Sequence, residues 1–359
     1  MCTHEVGMAS ARTATLLSLS MLCAAAAASA PILEVLPAAP PATQAIWANS
    51  SLDTWGGSVV QDDDGRFHIY ASAMTGQCTL EQWATNSMVI HGVADSPTGP
   101  FTRAAGASGI AIPRWAHNPE VVRAPDGTFL LFSISAVNAT RPCTCSQHVP
   151  SGPCRKPKLD LWIDVIQLHY SSSADGPWRS LGRVLWGSNP SPFVVPDTGE
   201  VFVAFKPGMQ IARANHWRGP YKVMSKFGGL LPAAGPSFPA IEDPFLWYDA
   251  AARRWNCLFH QYAKASGAYT PRGPGGYAYS GVDNVLNWTW AVPDEGSVYG
   301  FNVLLQGEQT LTLQKRERPK LLFDLAGRPA VLYNGVEFKG RSHTFAQQIK
   351  SFAPPYAYE

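Results

Sequence analysis

Charge is scarce in this sequence. Only 15% of its 359 residues are Asp, Glu, Lys or Arg, and no run of Lys or Arg concentrates the formal net charge of +2. The basic footprint that a nucleic-acid partner requires is missing, so that class is set aside. Helical amphipathic periodicity is not evident over any long window, which argues against a helical fold. No Gly-rich phosphate loop, nucleophile elbow or zinc-protease helix motif occurs. Beyond the N-terminus no stretch is long and apolar enough to cross a bilayer. What the chain has instead is 12 Trp, 30 Pro and 31 Gly with 46% hydrophobic residues, a mixture that suits a turn-rich β-fold with a large core.

The N-terminus reads as a secretory signal over residues 1–30. Arg12 precedes "ATLLSLSMLCAAAAASA", an apolar stretch ending in small residues. An uncleaved membrane anchor is the alternative. Residues 31–44 are Pro/Ala-rich and read as a linker, leaving 45–359 as one domain. Sequons at Asn49, Asn138 and Asn287 agree with export. Export also changes how the cysteines are read. Without Cys2 and Cys23, five remain (Cys78, Cys143, Cys145, Cys154 and Cys257), so at least one is free or pairs outside the chain. Three lie in "RPCTCSQHVPSGPC", which with His148 also forms a Cys3His set suited to zinc; an oxidising compartment favours a disulfide to Cys154 instead.

Five segments share one plan of apolar strand, turn and apolar strand: "WGGSVVQDDDGRFHIYAS", "HNPEVVRAPDGTFLLFSIS", "NPSPFVVPDTGEVFVAFKPG", "EDPFLWYDAAARRWNCLFHQY" and "ERPKLLFDLAGRPAVLYNGV". Asp64-Gly65, Asp126-Gly127 and Ala326-Gly327 occupy hairpin turns. With Gly57, Pro119, Pro190, Pro244 and Pro319 equivalent, the repeats are spaced by 62, 71, 54 and 75 residues. Third strands end in "DSPTGPF", "SADGPW" and "HWRGPY" in the first three units. Units of this size, with three or four antiparallel strands each, describe an all-β, five-bladed β-propeller.

In a propeller, each blade's innermost strand starts at one rim of the central channel. The residues before the shared proline then converge: Trp55-Gly56, His117-Asn118, Ser188-Asn189, Glu242-Asp243 and Glu317-Arg318. Carboxylates, a guanidinium, amides, an imidazole and an indole in one cavity suit sugar hydroxyls and pyranose faces.

These features resemble the five-bladed propeller glycoside hydrolases of the family 43, 32 and 68 type. The resemblance spans roughly residue 50 to the end and implies glycosidic bond cleavage. It implies a general acid at Glu242, in the Glu-x-Pro setting of "EDP". It also implies an Asp before the first strand of blade one and another in blade three that supports the acid. Gly56, within "TWGGS", and Asn189, within "SNPSP", hold those positions here.

The base or nucleophile is therefore open among Asp243, Asp53 and Glu317, with Asp53 also suited to capping the entering loop and Glu317 to a salt bridge. A negative Asp243 beside Glu242 would favour its protonated form, unless Arg318 neutralises the pair. Trp55 is a stacking platform or a core indole. Asn118 and Asn189 are hydroxyl binders or turn residues, and His117 and Arg318 could fix a hydroxyl or an anionic group. His260 and Asn334 end second strands that return to the same rim. His68 reads as a satisfied structural histidine, and the cluster Trp83, Asn86, Ser87 and His91 either reaches the rim or, as favoured here, packs under the loop. "DDDG" reads as a solvated turn; no metal ligands are assigned and no cofactor is required, with a structural calcium in the channel as an option. A carbohydrate partner and a monomer are expected. A lectin-like propeller without hydrolysis, and a phosphorylase or transglycosidase, are the competing functions.

Overall fold

The computed structural model describes residues 32–40, 52–104, 109–136, 142–146, 149–150, 164–225, 240–262, 274–291 and 297–356. The five repeats are five antiparallel sheets, the five blades of a β-propeller. Blade 1 comprises Thr54–Gln61, Phe67–Met74, Ser87–Ala94 and Thr102–Arg103, with Ile110–Ile112 added beside the third strand. Blade 2 runs through His117–Arg123, Phe129–Ala136, Asp164–Ser171 and Arg179–Trp186. Blade 3 has Ser188–Val194, Val201–Lys206, Gln210–Ala214 and Lys222–Val223. Blade 4 has Ala240–Asp249, Arg254–Tyr262, Gly275–Val282 and Asn284–Trp290.

Blade 5 takes its three inner strands, Lys315–Phe323, Pro329–Phe338 and Arg341–Phe352, from the C-terminal end and its outer strand, Leu33–Val35, from the N-terminal end. The expected linker over 31–44 is thus corrected in part. Ile32 and Leu33 are buried in the blade 5 core, and the Pro/Ala-rich composition around them hid a three-residue strand. Residues 1–30, Asn49, Asn138, His148 and Cys154 lie outside the described residues, while Asn287 is exposed on the outer strand of blade 4. Among the described residues no helix is long and apolar enough to cross a membrane.

The hairpin turns form for local reasons. Asp62 Oδ1 accepts the backbone N–H of Asp64 and of Arg66 at 3.1 and 2.8 Å, and Asp324 Oδ1 does the same for Ala326 and Arg328, both at 2.9 Å. Apolar faces then stack blade on blade. Leu130, Phe132, Ile166 and Leu168 of blade 2 meet Val201, Val203 and Phe205 of blade 3, each side chain contributing about 1.5–3 kcal/mol by leaving water.

One distortion recurs five times. Each innermost strand slips register against its neighbour between Trp55 and Ser58, His117 and Glu120, Ser188 and Ser191, Glu242 and Phe245, and Glu317 and Lys320. The residue just inside each slip has a left-handed backbone: Gly56 (φ 62°), Asn118 (52°), Asn189 (51°), Asp243 (55°) and Arg318 (58°). A bulge re-aims side chains, and these five turn the strand entrances toward the channel axis.

Candidate functional site

The strand entrances meet around a cavity of about 350 Å³ at one end of the channel, within the range of small-molecule sites. Of the ten converging positions read from the repeat, all but Gly56 line it. The left-handed residues form a hydrogen-bonded floor. Asn118 Nδ2 donates to Asn189 Oδ1 at 2.8 Å, Asn189 Nδ2 donates to Asp243 Oδ1 at 2.6 Å, and Arg318 Nη1 donates to the same oxygen at 2.9 Å. Gly56 interrupts the ring, and Arg318 fills the gap: a Cβ at Gly56 would stand 3.4 Å from Arg318 Nε. Asn118 Oδ1 and Arg318 Nε are buried at this floor with no hydrogen-bond partner among the described residues, which leaves an acceptor and a donor for a ligand hydroxyl.

Asp243 is locked. Burial alone would raise its carboxyl pKa, but Arg318, His260 and Lys206 outweigh burial and hold it well below the usual carboxylate range. It is therefore a fixed anion whose lone pairs serve Asn189 and Arg318, which sets it apart from the other candidates for the base. Arg318, so committed, is also corrected as a grip for a uronate or sulfate. Glu242 and Glu317 differ, since their side chains keep 26% and 21% exposure. Glu242 pairs with Lys206 of blade 3. Beneath them His260 Nδ1 lies 3.6 Å from Asp243 Oδ2, and its Nε2 lies 3.9 Å from Glu317 Oε1. Burial works against a charged His260, yet Asp243, Glu317 and Glu242 together raise its pKa. It stands beneath the carboxylates rather than in the cavity wall.

His117 is buried and neutral. Burial and the nearby Arg318 push its pKa down to about 3; Ser87 Oγ sits 2.6 Å from its Nδ1, and Trp83 stacks on its ring at 5.0 Å. Trp55 lines the cavity and packs flat on Gly335, where a Cβ would come within 2.7 Å of the indole.

Trp83 also lines the cavity, correcting its assignment to packing under a loop. The cause is a long-range staple. Cys78 and Cys145 form a disulfide, and Asn86 Nδ2 donates to Cys143 O at 2.9 Å while Asn86 Oδ1 accepts the Cys143 N–H at 3.0 Å. The insert of blade 2 thereby holds the short helix Trp83–Asn86 at the rim. Cys143 is also disulfide-bonded, so neither Cys143 nor Cys145 is available to zinc, and buried Cys257 is the free thiol among the described residues.

Two predicted residues are elsewhere. Asp53 is buried, its carboxylate paired with Arg341 and hydrogen-bonded by the Ser342 backbone and hydroxyl, a seam between blades 1 and 5. Asn334 accepts from Arg316 Nε at 2.9 Å and donates to the Glu317 carbonyl at 3.2 Å, away from the cavity. The residue opposite Glu317 is Gly335, as His260 is opposite Glu242; one step of register puts a side chain on the other face. The same position in blade 3 is Lys206, opposite Ser188, which sequence reasoning missed although strand-end equivalence would have found it. Glu81, Asp164 and Lys315 complete the charged lining. Among the described residues the lining holds five carboxylates (Glu81, Asp164, Glu242, Asp243, Glu317) against three cations (Lys206, Lys315, Arg318), which disfavours an anionic ligand.

One step deeper on the axis lie Ser58, Glu120, Ser191, Phe245 and Lys320, the residues beyond each slip. Lys320 Nζ pairs with Glu120 and donates to the Pro244 carbonyl at 2.9 Å, while Ser191 Oγ donates to the other Glu120 oxygen at 3.1 Å. Burial pushes the Glu120 pKa up and the Lys320 pKa down, and each group opposes the shift of the other. Lys320 and Arg318 already supply cations for the axial carboxylates Glu120 and Asp243, and Glu242, Asp243 and His260 are the group at the channel mouth whose ligand atoms lie within 4.8 Å of one another. Two of the three carboxylates of "DDDG" are engaged too, Asp62 by its turn and His68, Asp63 by Arg123 at 2.6 Å.

No protein-family model and no curated protein matches the chain. Solved structures with the same fold do. An endo-arabinase from Bacteroides thetaiotaomicron aligns over 86% of this chain and 97% of its own at TM-score 0.53 and 13% identity. A family 117 glycoside hydrolase from Zobellia galactanivorans covers 84% and 85%, at 0.52 and 12%. A family 43 β-xylosidase/α-arabinofuranosidase from a compost metagenome, a calcium-free form with xylotriose, covers 90% and 100%, at 0.51 and 13%. The fold is that of these five-bladed glycoside hydrolases.

Proposed function

We propose that the protein is a glycoside hydrolase acting on a neutral oligo- or polysaccharide, with Glu242 as proton donor and Glu317 as the carboxylate that activates water. The observation that carries this reading is the contrast within the carboxylate cluster. Asp243 is sequestered, whereas Glu242 and Glu317 stand part-exposed on equivalent entrances of adjacent blades, above His260. His260 Nε2, 3.9 Å from Glu317 Oε1, supports Glu317 from beneath in the base position. Glu242 reaches the leaving oxygen when substrate displaces Lys206. Trp83, Trp55 and the open hydrogen-bonding atoms of Asn118 and Arg318 suit a sugar face and its hydroxyls. The activities named for the fold neighbours make arabino- and xylo-oligosaccharides the first substrates to try. The apolar N-terminal segment and the Cys78–Cys145 disulfide support export.

Two observations favour a second reading, a propeller that binds saccharide without cleaving it: Arg318 covers Gly56, and Lys206 sits on Glu242. Phosphorolysis is disfavoured by the excess of carboxylates in the lining. A screen of neutral oligosaccharides for new reducing ends separates the three. Cleavage that falls at least about 100-fold in both Glu242→Gln and Glu317→Gln, with binding retained, supports hydrolysis. Binding without turnover on any glycan supports the second reading, and turnover that needs phosphate overturns both.

A further inference from the structure

At the interface between blades 1 and 2, far along the sheet from the cavity floor, blade 1 departs from an apolar rule. Three residues beyond the turn glycine, blades 2 and 3 carry Leu130 and Phe202, and blade 1 carries His68. On the neighbouring strand the matching positions are Leu168 and Ile211, and blade 1 has His91, as set by the pairs Phe132–Leu168, Ala204–Ile211 and Tyr70–His91. Both imidazoles are fully buried. Placing two polar rings where the repeat places two aliphatic or aromatic ones costs desolvation, so they need a common partner.

Their neighbours identify its chemistry. Asp62 Oδ2 lies 2.8 Å from His68 Nε2 and takes the N–H there, which leaves the Nδ1 lone pair pointing inward. Asp62 is itself fixed by two backbone N–H groups of its turn. His91 Nε2 faces that lone pair at 2.9 Å, and its ring is stacked on Tyr70 at 5.0 Å. The carboxylate of Asp175, from blade 2, stands 3.9 Å from the same Nδ1. Two imidazole nitrogens and a carboxylate thus converge on one gap, with the hydrogen between the rings holding the nitrogens together. The three donor atoms lie within 4.8 Å of one another. A carboxylate behind a histidine whose other nitrogen points at the gap is the outer arrangement of metal-bound imidazole. Asp175 is 57% exposed and borders a side cavity with Arg66, Asp95 and Arg103, so the fourth position opens to water.

We infer that His68 Nδ1, His91 Nε2 and Asp175 form a binding site for one divalent transition-metal ion, zinc foremost, at the seam between blades 1 and 2. Two imidazoles and one carboxylate suit zinc rather than calcium. Metal–nitrogen bonds of about 2.0–2.1 Å in a tetrahedral site need the two nitrogens about 3.3 Å apart, so the rings separate by a few tenths of an ångström and Asp175 closes on them. The hydrogen held between the rings leaves Nε2 of His91 on binding, and affinity falls with acidification.

The test uses the untagged full chain with zinc or cobalt alone, by titration calorimetry and by the visible spectrum of bound cobalt. One ion per chain is expected, with tetrahedral cobalt bands and a rise in Tm on adding zinc. Asp175→Ala, at an exposed position, keeps the fold and weakens binding at least about 100-fold; Asp62→Asn weakens it about 10- to 100-fold. Absence of stoichiometric zinc binding overturns the inference. So does binding that Asp175→Ala and Asp62→Asn leave unchanged, which would make the imidazole pair a hydrogen-bond relay only. Neither outcome bears on glycan cleavage, which the carboxylate variants of the cavity test separately.

Discussion

Arg318 lies across Gly56 and, from there, holds Asp243 at 2.9 Å. The missing side chain in blade 1 and the guanidinium in blade 5 are one arrangement, with Asp243 as its buried counter-ion. Arg318→Met strands a carboxylate that is only 2% exposed, and a loss of about 3–5 kcal/mol is expected by urea denaturation. Gly56→Asp is milder, about 1–2 kcal/mol, because Asn118, Asn189 and Asp243 already adopt the same backbone and the new carboxylate meets Arg318.

Lys320 makes a second internal ion pair. Calcium added to the protein is expected to leave Tm unchanged, since the axial carboxylate Glu120 is already paired. Lys320→Met should cost about 3–5 kcal/mol. A rise in Tm with calcium in the unsubstituted protein would contradict this account of the channel.

The rim depends on a covalent staple. Cys78→Ser, or reduction of the Cys78–Cys145 bond, frees the segment that presents Trp83. Saccharide binding should weaken by about 1–3 kcal/mol, as it would for Trp83→Ala, with kcat little affected. Calorimetry on the oxidised and reduced protein reads this directly; equal affinities would remove Trp83 from the binding surface.

Acid should destabilise the fold early. The folded pKa of His117 is about 3 against an ordinary 6.5. Its contribution is full above about pH 6.5 and is lost as pH falls from there toward 3, because the unfolded chain takes the proton first. His260 works the other way: its folded pKa is raised, so its contribution is full below about 6.5 and is lost as pH rises through the folded value. In a Tm–pH profile, His117→Gln should flatten the acid side and His260→Gln the neutral-to-alkaline side.

The converging entrances were legible because five-fold repetition supplies its own alignment: a shared Gly or Pro after the left-handed residue marks the same point in every blade. Strand ends were less so. The slip in blade 5 moves the position opposite Glu317 from Val336 to Gly335, and a bulge cannot be counted from hydrophobic alternation. Trp83 reached the rim through a disulfide to a distant insert, a contact that no local pattern encodes. Lys320 and Glu120 sit in apolar strands where a single charge reads as an exposed residue, and their pairing across 200 positions becomes visible only when the ring is closed. Asp53 was assigned to the rim by proximity in sequence, whereas its partners Arg341 and Ser342 come from the opposite end of the chain.

The outer edge of blade 5 belongs to the first strand of the ring, Leu33–Val35, hydrogen-bonded to Phe352, Ser351 and Ile349. On a ribosome, those early residues must wait, unpaired, until nearly the whole polypeptide has emerged. The circle is latched last, by residues more than three hundred positions apart, so assembly is expected to be slow and to end in a single locking step. A short deletion at this hem would strip blade 5 of its outer edge and bare the backbone of Arg341–Phe352, while its inner strands still pack on blade 1.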